Sequence, residues 1–198
     1  MAVIGLSKPY IATYSNNGTT VTYETAALLG KAVSLELSLD GGSDNTLYAD
    51  NAPVETDNQF AGGSLTITTD DIDAATFKTI LGLVEENAVG GSALETGTKW
   101  EVFNDSQATP YMGFGGIVKK KVGGSIKYVA VAFDKIQFQN PAMSVNTQGD
   151  SIEWQTNELT ATLMRSDNAS HSWRRLSTPC ETEAGAEAAL LGFFNPPA

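Results

Sequence analysis

The single histidine and the single cysteine, His171 and Cys180, are the first residues whose types could do chemistry. A cysteine nucleophile needs a histidine within hydrogen-bond reach and a third group that orients the ring. Proximity along the chain supplies neither, and the serines on both sides of His171 are typical of a polar loop. We therefore expect no catalytic dyad. A lone cysteine also excludes an internal disulfide and a cysteine-rich metal site.

Three aspartates, Asp70, Asp71 and Asp73, are the second candidate for chemistry. Their carboxylates could bind calcium, which prefers several oxygen ligands. Their spacing is not that of an EF-hand loop. An apolar stripe with helical periodicity follows them, and short carboxylates before a helix cap its free N–H groups and meet the positive end of its dipole. The sequence therefore predicts capping residues here, with no metal and no other cofactor.

Glycines surround Phe114, and a basic run follows at Lys119, Lys120 and Lys121. The glycines are not followed by the Lys-Ser/Thr pair of a phosphate-binding loop, and glycine within a strand marks a bulge or a close approach of the backbone. The lysines predict either a solvated hairpin or a patch that docks on acidic neighbours, including another copy of the chain. No set of residues predicts catalysis, so we expect that the protein is not an enzyme.

The elements that position these residues are mostly β-strands. Residues 33, 35, 37 and 39 are apolar and alternate with Ser34, Glu36, Ser38 and Asp40, which predicts a strand with one buried and one polar face. Alternation or β-branched and aromatic content predicts further strands at residues 10–14, 19–24, 64–68, 99–103, 111–118, 126–138, 152–155 and 159–163. Gly- and Asp-rich stretches at residues 40–45, 50–59 and 85–98 predict long loops.

One segment has a helical period: Phe77, Ile80, Leu81 and Val84 predict a flanking helix at about residues 71–84. A second helix is predicted from the capping-box spacing that begins at Thr178. We predict a mainly β fold, a sandwich or open barrel with one flanking helix. Residues 1–178 form its domain, and residues 179–198 form a C-terminal segment, either a short helix or an arm.

The chain has 198 residues and a formal net charge of −11, which suits about one domain. The charge is uneven, since residues 1–99 hold 13 acids and 4 bases while residues 100–198 hold 10 acids and 8 bases. An acidic chain lacks the basic footprint of a protein that grips nucleic-acid phosphates. We also expect no membrane span and no secretory signal.

Several short blocks stand in a distinctive order between residues 4 and 175. They cover residues 4–12, 32–38, 47–51, 60–66, 70–72, 113–115 and 163–165, with Trp173 at the end. The most specific block is Gly149-Asp150-Ser151-Ile152-Glu153-Trp154-Gln155-Thr156. In this order the blocks resemble the major tail proteins, or tail tube proteins, of long non-contractile-tailed bacteriophages, in particular those that infect Gram-positive bacteria.

The resemblance implies a β-sandwich with a flanking helix that assembles into hexameric rings. The rings would stack into the tail tube of the virion, the conduit for genome ejection. It implies assembly in the host bacterial cytoplasm, with the tape measure, tail terminator and distal tail proteins as partners. DNA would pass through the lumen without specific binding, and neither a membrane nor a cofactor is implied.

Three groups of residues are candidates for this assembly. Polar residues of the alternating strand are candidates for the lumen face: Ser34, Glu36 and Ser38. Residues of the polar stretches are candidates for contacts between subunits or rings: Asp40, Asp44, Asn45, Asp50, Glu55 and Asp57. Basic residues are candidates for docking on acidic neighbours: Lys119, Lys120, Lys121, Arg165, Arg174 and Arg175.

Two other function classes stay open. The chain is alternatively a monomeric β-sandwich module that binds carbohydrate or a cell surface, with Tyr48, Trp100 and Tyr111 as a stacking platform. The last class is a hydrolase with a carboxylate pair that the sequence does not identify.

Overall fold

The computed structural model describes residues 2–18, 20–24, 26–40, 45–57, 60–91, 94–143 and 156–195. The predicted strand at residues 152–155 and nearly all of the block at residues 149–156 lie outside this part. Within it the chain is mainly β, as predicted. Its elements are β1 (Ala2–Asn16), β2 (Val21–Tyr23), β3 (Ala27–Leu28), β4 (Ala32–Leu39), β5 (Asn45–Ala49), β6 (Ala52–Asp57), β7 (Gly63–Thr69), α1 (Ala74–Leu81), β8 (Val84–Asn87), β9 (Lys99–Val102), β10 (Tyr111–Val122), β11 (Ser125–Phe138), β12 (Asn157–Met164), β13 (Arg174–Leu176) and α2 (Glu183–Phe194).

A nine-stranded antiparallel sheet forms the body of the protein. Its strand order is β2-β1-β10-β11-β12-β7-β4, and β3 and β13 pair with β1 and β11 outside this path. Strands β1 and β4 approach each other although four strands separate them in the sheet. The sheet is therefore strongly curved, and its form agrees with the predicted sandwich-like fold. The remaining strands form two separate two-stranded ribbons, β5–β6 and β8–β9.

Alternate side chains of the sheet fill a core on its inner face. Leu65 and Ile67 of β7 and Leu159 and Leu163 of β12 are buried there, and α1 closes the core with Ile80, Leu81 and others. The alternation predicted for β7 and β12 is confirmed by this burial.

Strand β4 obeys its predicted pattern only at its centre. Leu35 and Leu37 pack against the core, while Val33 and Leu39 are exposed. The prediction that all four lie on one buried face is wrong. A register shift between Ala32 and Ser34 and the position of β4 at the edge of the sheet leave its ends uncovered.

Helix α1 is shorter than the predicted helix at residues 71–84. The Asp73 carboxylate accepts a hydrogen bond from the Thr76 N–H, so the helix begins after Asp73. It ends at Gly82, which has a left-handed φ of 67° and donates its N–H to the Lys78 carbonyl. Both ends thus follow from capping.

Helix α2 begins at Glu183 with Thr182 as its cap, so the predicted cap at Thr178 is wrong. Cys180 exchanges two backbone hydrogen bonds with Tyr128, which keeps this segment extended. From Thr182 onward the segment is a docked helix. It buries Ala186, Leu190 and Phe194 in a second core against the outer face of the sheet, which contributes Ala12, Ile117, Ala130 and Ala132.

Two glycines of β10 let α2 approach the sheet closely. A Cβ on Gly115 would lie 2.4 Å from Leu190 Cδ1 and 2.9 Å from the Val131 carbonyl oxygen. A Cβ on Gly113 would lie 2.7 Å from the Phe194 ring. The close approach that glycine within a strand predicts is confirmed at this helix–sheet contact.

We expect Gly115→Ala to lower the free energy of unfolding by about 1–3 kcal/mol, because the backbone oxygen of Val131 cannot yield to the added methyl group. The matched control is Gly116→Ala, whose Cβ meets the end of the flexible Leu6 side chain at 3.3 Å. Urea unfolding of both variants measures the difference. Equal stabilities would contradict the close docking of α2.

Candidate functional site

Strands β4, β7 and β12 turn a polar face away from the core. Their register places three rows of residues side by side: Ser34–Thr68–Glu158, Glu36–Thr66–Thr160 and Ser38–Ser64–Thr162. Directly opposite residues of antiparallel strands share one face. The Ser34 hydroxyl accordingly donates to the Thr68 hydroxyl at 2.9 Å. We name these nine residues the hydroxyl face.

The hydroxyl face continues onto β11 because of an extra residue in that strand. Phe114 lies opposite Phe133 while Met112 lies opposite Ile136, so β11 has a bulge between these pairs. After it, Ile136 enters the core and Gln137 lies opposite Thr162. Gln139 donates from Nε2 to the Thr162 hydroxyl at 3.3 Å.

The chemistry of the hydroxyl face is that of a hydrated, weakly acidic surface. Seven of its nine side chains are serine or threonine, and Glu36 and Glu158 supply its two charges. Both carboxylates are exposed. Such a surface binds water and repels anions, and it presents no cation to a phosphate.

A base lies at the border of the hydroxyl face, but it is paired. Lys135 Nζ lies 2.7 Å from Asp167 Oδ2 and 4.3 Å from the centre of the Tyr111 ring. The hydrogen bond from Lys135 holds the pKa of Asp167 below its ordinary value, so the carboxylate stays charged. The positive charge of Lys135 is thereby offset within the chain.

The predicted lumen residues Ser34, Glu36 and Ser38 lie together on the hydroxyl face, on its outermost strand. The sequence missed the six residues that β7 and β12 add. Their alternation predicted two half-buried strands, but not that these strands pair with β4. Strand order, which joins segments far apart in the chain, was the missing information.

Strand β4 forms an open edge of the sheet beside this face. It pairs with β7 on one side, and no strand among the described residues pairs with its other side. Exposed Val33 and Leu39 flank the edge. The strand has neither lysine nor proline, which proteins commonly place on edges to prevent pairing with another chain.

The candidate contact residues lie mostly in a hairpin rather than in loops. Asn45 begins β5, and Glu55 and Asp57 belong to β6, so the loop prediction is wrong for residues 52–57. Asp50 lies in the turn with φ 51°, and exposed Asp40 follows β4. Asp44 lies outside the described residues. A role of these residues in contacts between copies stays a prediction.

The lysine run lies where the β10–β11 hairpin nears its turn at Gly123 and Gly124, so the hairpin prediction is confirmed. Lys119, Lys120 and Lys121 form no ion pair with any described residue. Docking on an acidic neighbour stays a prediction for them.

The three candidate arginines differ in their surroundings. Arg165 is exposed, and it has no ion pair in the described part of the chain. The Arg174 guanidinium lies 4.8 Å from the centre of the Trp173 ring. Arg175 Nε donates to both oxygens of buried Asp134, at 3.0 and 3.2 Å. The charge of Arg175 is thus already offset inside the chain.

The residues considered for catalysis or metal binding have local partners. His171 Nδ1 lies 3.3 Å from the Ser166 carbonyl, and Cys180 Sγ lies 3.6 Å from the Thr178 carbonyl. Asp70 accepts the N–H groups of Lys31 and Asp71, and the first of these bonds lowers its pKa. Among the described residues no three His, Cys, Asp or Glu side chains are placed to hold a metal ion.

The aromatic platform of the carbohydrate hypothesis is not assembled in this chain. Tyr48 lies on β5, Trp100 on β9 and Tyr111 on β10, in three different sheets. No ring contact joins any two of them in the described part, and Tyr111 packs edge-on against Tyr14 instead.

No protein-family model matches the chain, and a comparison with curated proteins gives no significant match. The resemblance to tail proteins therefore stays a prediction. No helix among the described residues is both long and apolar enough to cross a membrane.

Proposed function

We propose that this chain is a structural protein of the virion that self-assembles into stacked hexameric rings and forms a phage tail tube, the conduit for genome ejection. The observation that carries the proposal is that the hydroxyl face ends at β4, whose outer edge pairs with no strand in the described part of the chain. A polar sheet face beside an open edge suits a sheet that continues into another copy.

Self-assembly gives the open edge of β4 a partner. A strand of a neighbouring copy would complete its hydrogen bonds, and closure of several sheets into one barrel removes the edges altogether. The hydroxyl face would then line the inside of the barrel. Its two acids per copy would repel DNA phosphates, and its hydroxyls would keep the wall hydrated, so DNA could pass without specific binding.

The sequence resemblance supports the same function, and three of its blocks fall on the nine-stranded sheet. Residues 4–12 lie in β1, residues 32–38 in β4 and residues 113–115 in β10. On this proposal the tape measure, tail terminator and distal tail proteins are the partners, and assembly takes place in the host cytoplasm. The carbohydrate-binding alternative has less support, since its three aromatic residues lie in separate sheets.

Electron microscopy of the purified protein at high concentration, over a range of ionic strengths, tests the proposal directly. We expect rings or tubes, nucleated where necessary by tail-assembly partners. A protein that stays monomeric under all these conditions, with and without partners, would overturn the proposal.

The edge variant Leu39→Lys tests the role of β4. A charge on an edge strand opposes pairing with another chain, so we expect the protein concentration needed for assembly to rise about 10-fold or more. Met143→Lys is the matched control, since Met143 is also exposed (88%, against 49% for Leu39) and lies outside the sheet. Sedimentation of the assembled fraction measures both. An equal effect of the two variants would exclude the β4 edge as a contact.

A further inference from the structure

The β8–β9 ribbon presents an apolar strip that nothing in the described part of the chain covers. Val84 lies opposite Val102 and Glu86 opposite Trp100, so these four side chains share one face. Trp100 is 66% exposed, and Val84 is exposed beside it. The sequence predicted a loop at residues 85–98, and the strand β8 within it is what aligns this strip. We name residues 84–91 and 94–105 the acidic ribbon.

The acidic ribbon carries a negative charge that is only partly compensated by lysines. Residues 84–105 hold five acids and one base, a net charge of −4. The Glu85 carboxylate is paired with Lys78 at 3.0 Å and Lys99 at 2.6 Å. Glu86, Glu95 and Glu101 form no ion pair with any described residue. Of these, Glu86 shares the face of Trp100, while Glu101 lies opposite Glu85 on the other face of the ribbon.

The end of the β10–β11 hairpin has the opposite net charge. Residues 117–128, which we name the lysine end, hold four lysines and no acid, a net charge of +4. Only Lys127 is paired, with Glu181 of the same chain. The register places Lys120 opposite Val3 and Lys121 opposite Ile126. Val3 is 67% exposed and shares one face with Lys120, while exposed Ile126 shares the other face with Lys121.

No ion pair among the described residues joins these two surfaces within one chain. The segment between the ribbon and β10 is anchored beneath α1, where Gln107 Nε2 donates to the Leu81 carbonyl at 2.7 Å. From Tyr111 to Lys120 the chain runs along β10, which at the rise of a strand is about 30 Å. An ion pair requires contact within about 4 Å. The free charges of each surface are thus available to another molecule.

We propose that the acidic ribbon of one copy binds the lysine end of a second copy of this chain. The net charges are opposite and equal in size, and the contact would bury exposed apolar side chains on both sides, Trp100 on the ribbon and Val3 beside Lys120. Opposite charges also set the orientation of the two copies. The contact joins different surfaces of the two copies, so it repeats head to tail and builds a ring or a filament. This inference rests on the proposed self-assembly and names one pair of surfaces that carries it.

Two charge-reversed chains test the contact. The first carries Lys119→Glu, Lys120→Glu and Lys121→Glu, which makes both of its surfaces negative. The second carries Glu86→Lys, Glu95→Lys and Glu101→Lys, which makes both positive. We expect each chain alone to need at least about 10-fold more protein for assembly than the unaltered chain. An equimolar mixture should assemble near the concentration of the unaltered chain, because each negative surface then finds a positive one.

The mixture also controls for folding, since a misfolded variant cannot restore assembly. Thr79→Glu, at an exposed position of α1 outside both surfaces, controls for the change of charge alone. Assembly of either triple variant alone at the unaltered concentration would overturn the contact, as would a mixture that assembles no better than its components. In those outcomes the proposed function still stands if the unaltered chain forms tubes. An unaltered chain that never assembles overturns both.

Discussion

Replacement of Arg175 by methionine is expected to lower the free energy of unfolding by about 3–5 kcal/mol, the cost of leaving a buried carboxylate without its ion-pair partner. Asp134 is fully buried, and Arg175 is its one basic contact in the described part of the chain. The other side-chain bond to Asp134 comes from the Ser172 hydroxyl at 2.5 Å, which is neutral and cannot offset the charge. Methionine keeps most of the side-chain volume, so the effect reports the lost charge.

The adjacent residue supplies the control. Arg174 is exposed and stacks on Trp173 without an ion pair among the described residues. Arg174→Met is expected to cost less than about 1 kcal/mol. Urea unfolding followed by circular dichroism compares the two variants. If Arg175 served only to dock on a neighbour, both variants would be equally stable and only assembly would change. Equal stability of the two would therefore contradict the structural role of Arg175.

Local patterns predicted the elements that depend on local physics. Alternation along residues 64–68 and 159–163 predicted β7 and β12, because each strand has one face in the core. The helical spacing of Phe77, Ile80 and Leu81 predicted α1 for the same reason. Capping determined the ends of the helices, and Asp73 and Thr182 show that a cap depends on the conformation of the residue as well as on its type.

The hydroxyl face and the charge contacts could not be predicted in the same way. Glu36, Thr66 and Thr160 become neighbours only through the pairing of β4, β7 and β12, whose order the chain does not encode locally. The alternation at the end of β11 predicts that Gln137 faces away from Ile136 and Phe138, but not the bulge or the pairing that sets Gln137 opposite Thr162. The sequence predicts Arg175 as a docking residue, because the pairing with buried Asp134, 41 positions away in the chain, is not visible in a local pattern.

The second prediction with a large effect concerns the hydroxyl face, the polar wall of the proposed lumen. Thr66 and Thr160 are adjacent in the central row of the hydroxyl face, next to Glu36. The double variant Thr66→Lys, Thr160→Lys changes the net charge of this face from −2 to 0 and places ammonium groups where DNA would pass. Tubes of this variant are expected to retain short DNA duplexes at least about 100-fold more strongly than unaltered tubes in low salt.

Salt dependence identifies the cause of that retention. With three phosphates engaged, a rise from 50 to 200 mM salt should weaken binding about 40-fold, because the release of condensed counterions gains less entropy at higher bulk salt. The control Thr79→Lys, Thr178→Lys adds the same charge on α1 and before α2, away from the hydroxyl face. Co-sedimentation of labelled duplexes with assembled tubes measures all three proteins. Retention that is equal in the two variants, or absent from both, would mean that DNA does not meet the hydroxyl face, and the face would then belong to the outer wall of the assembly.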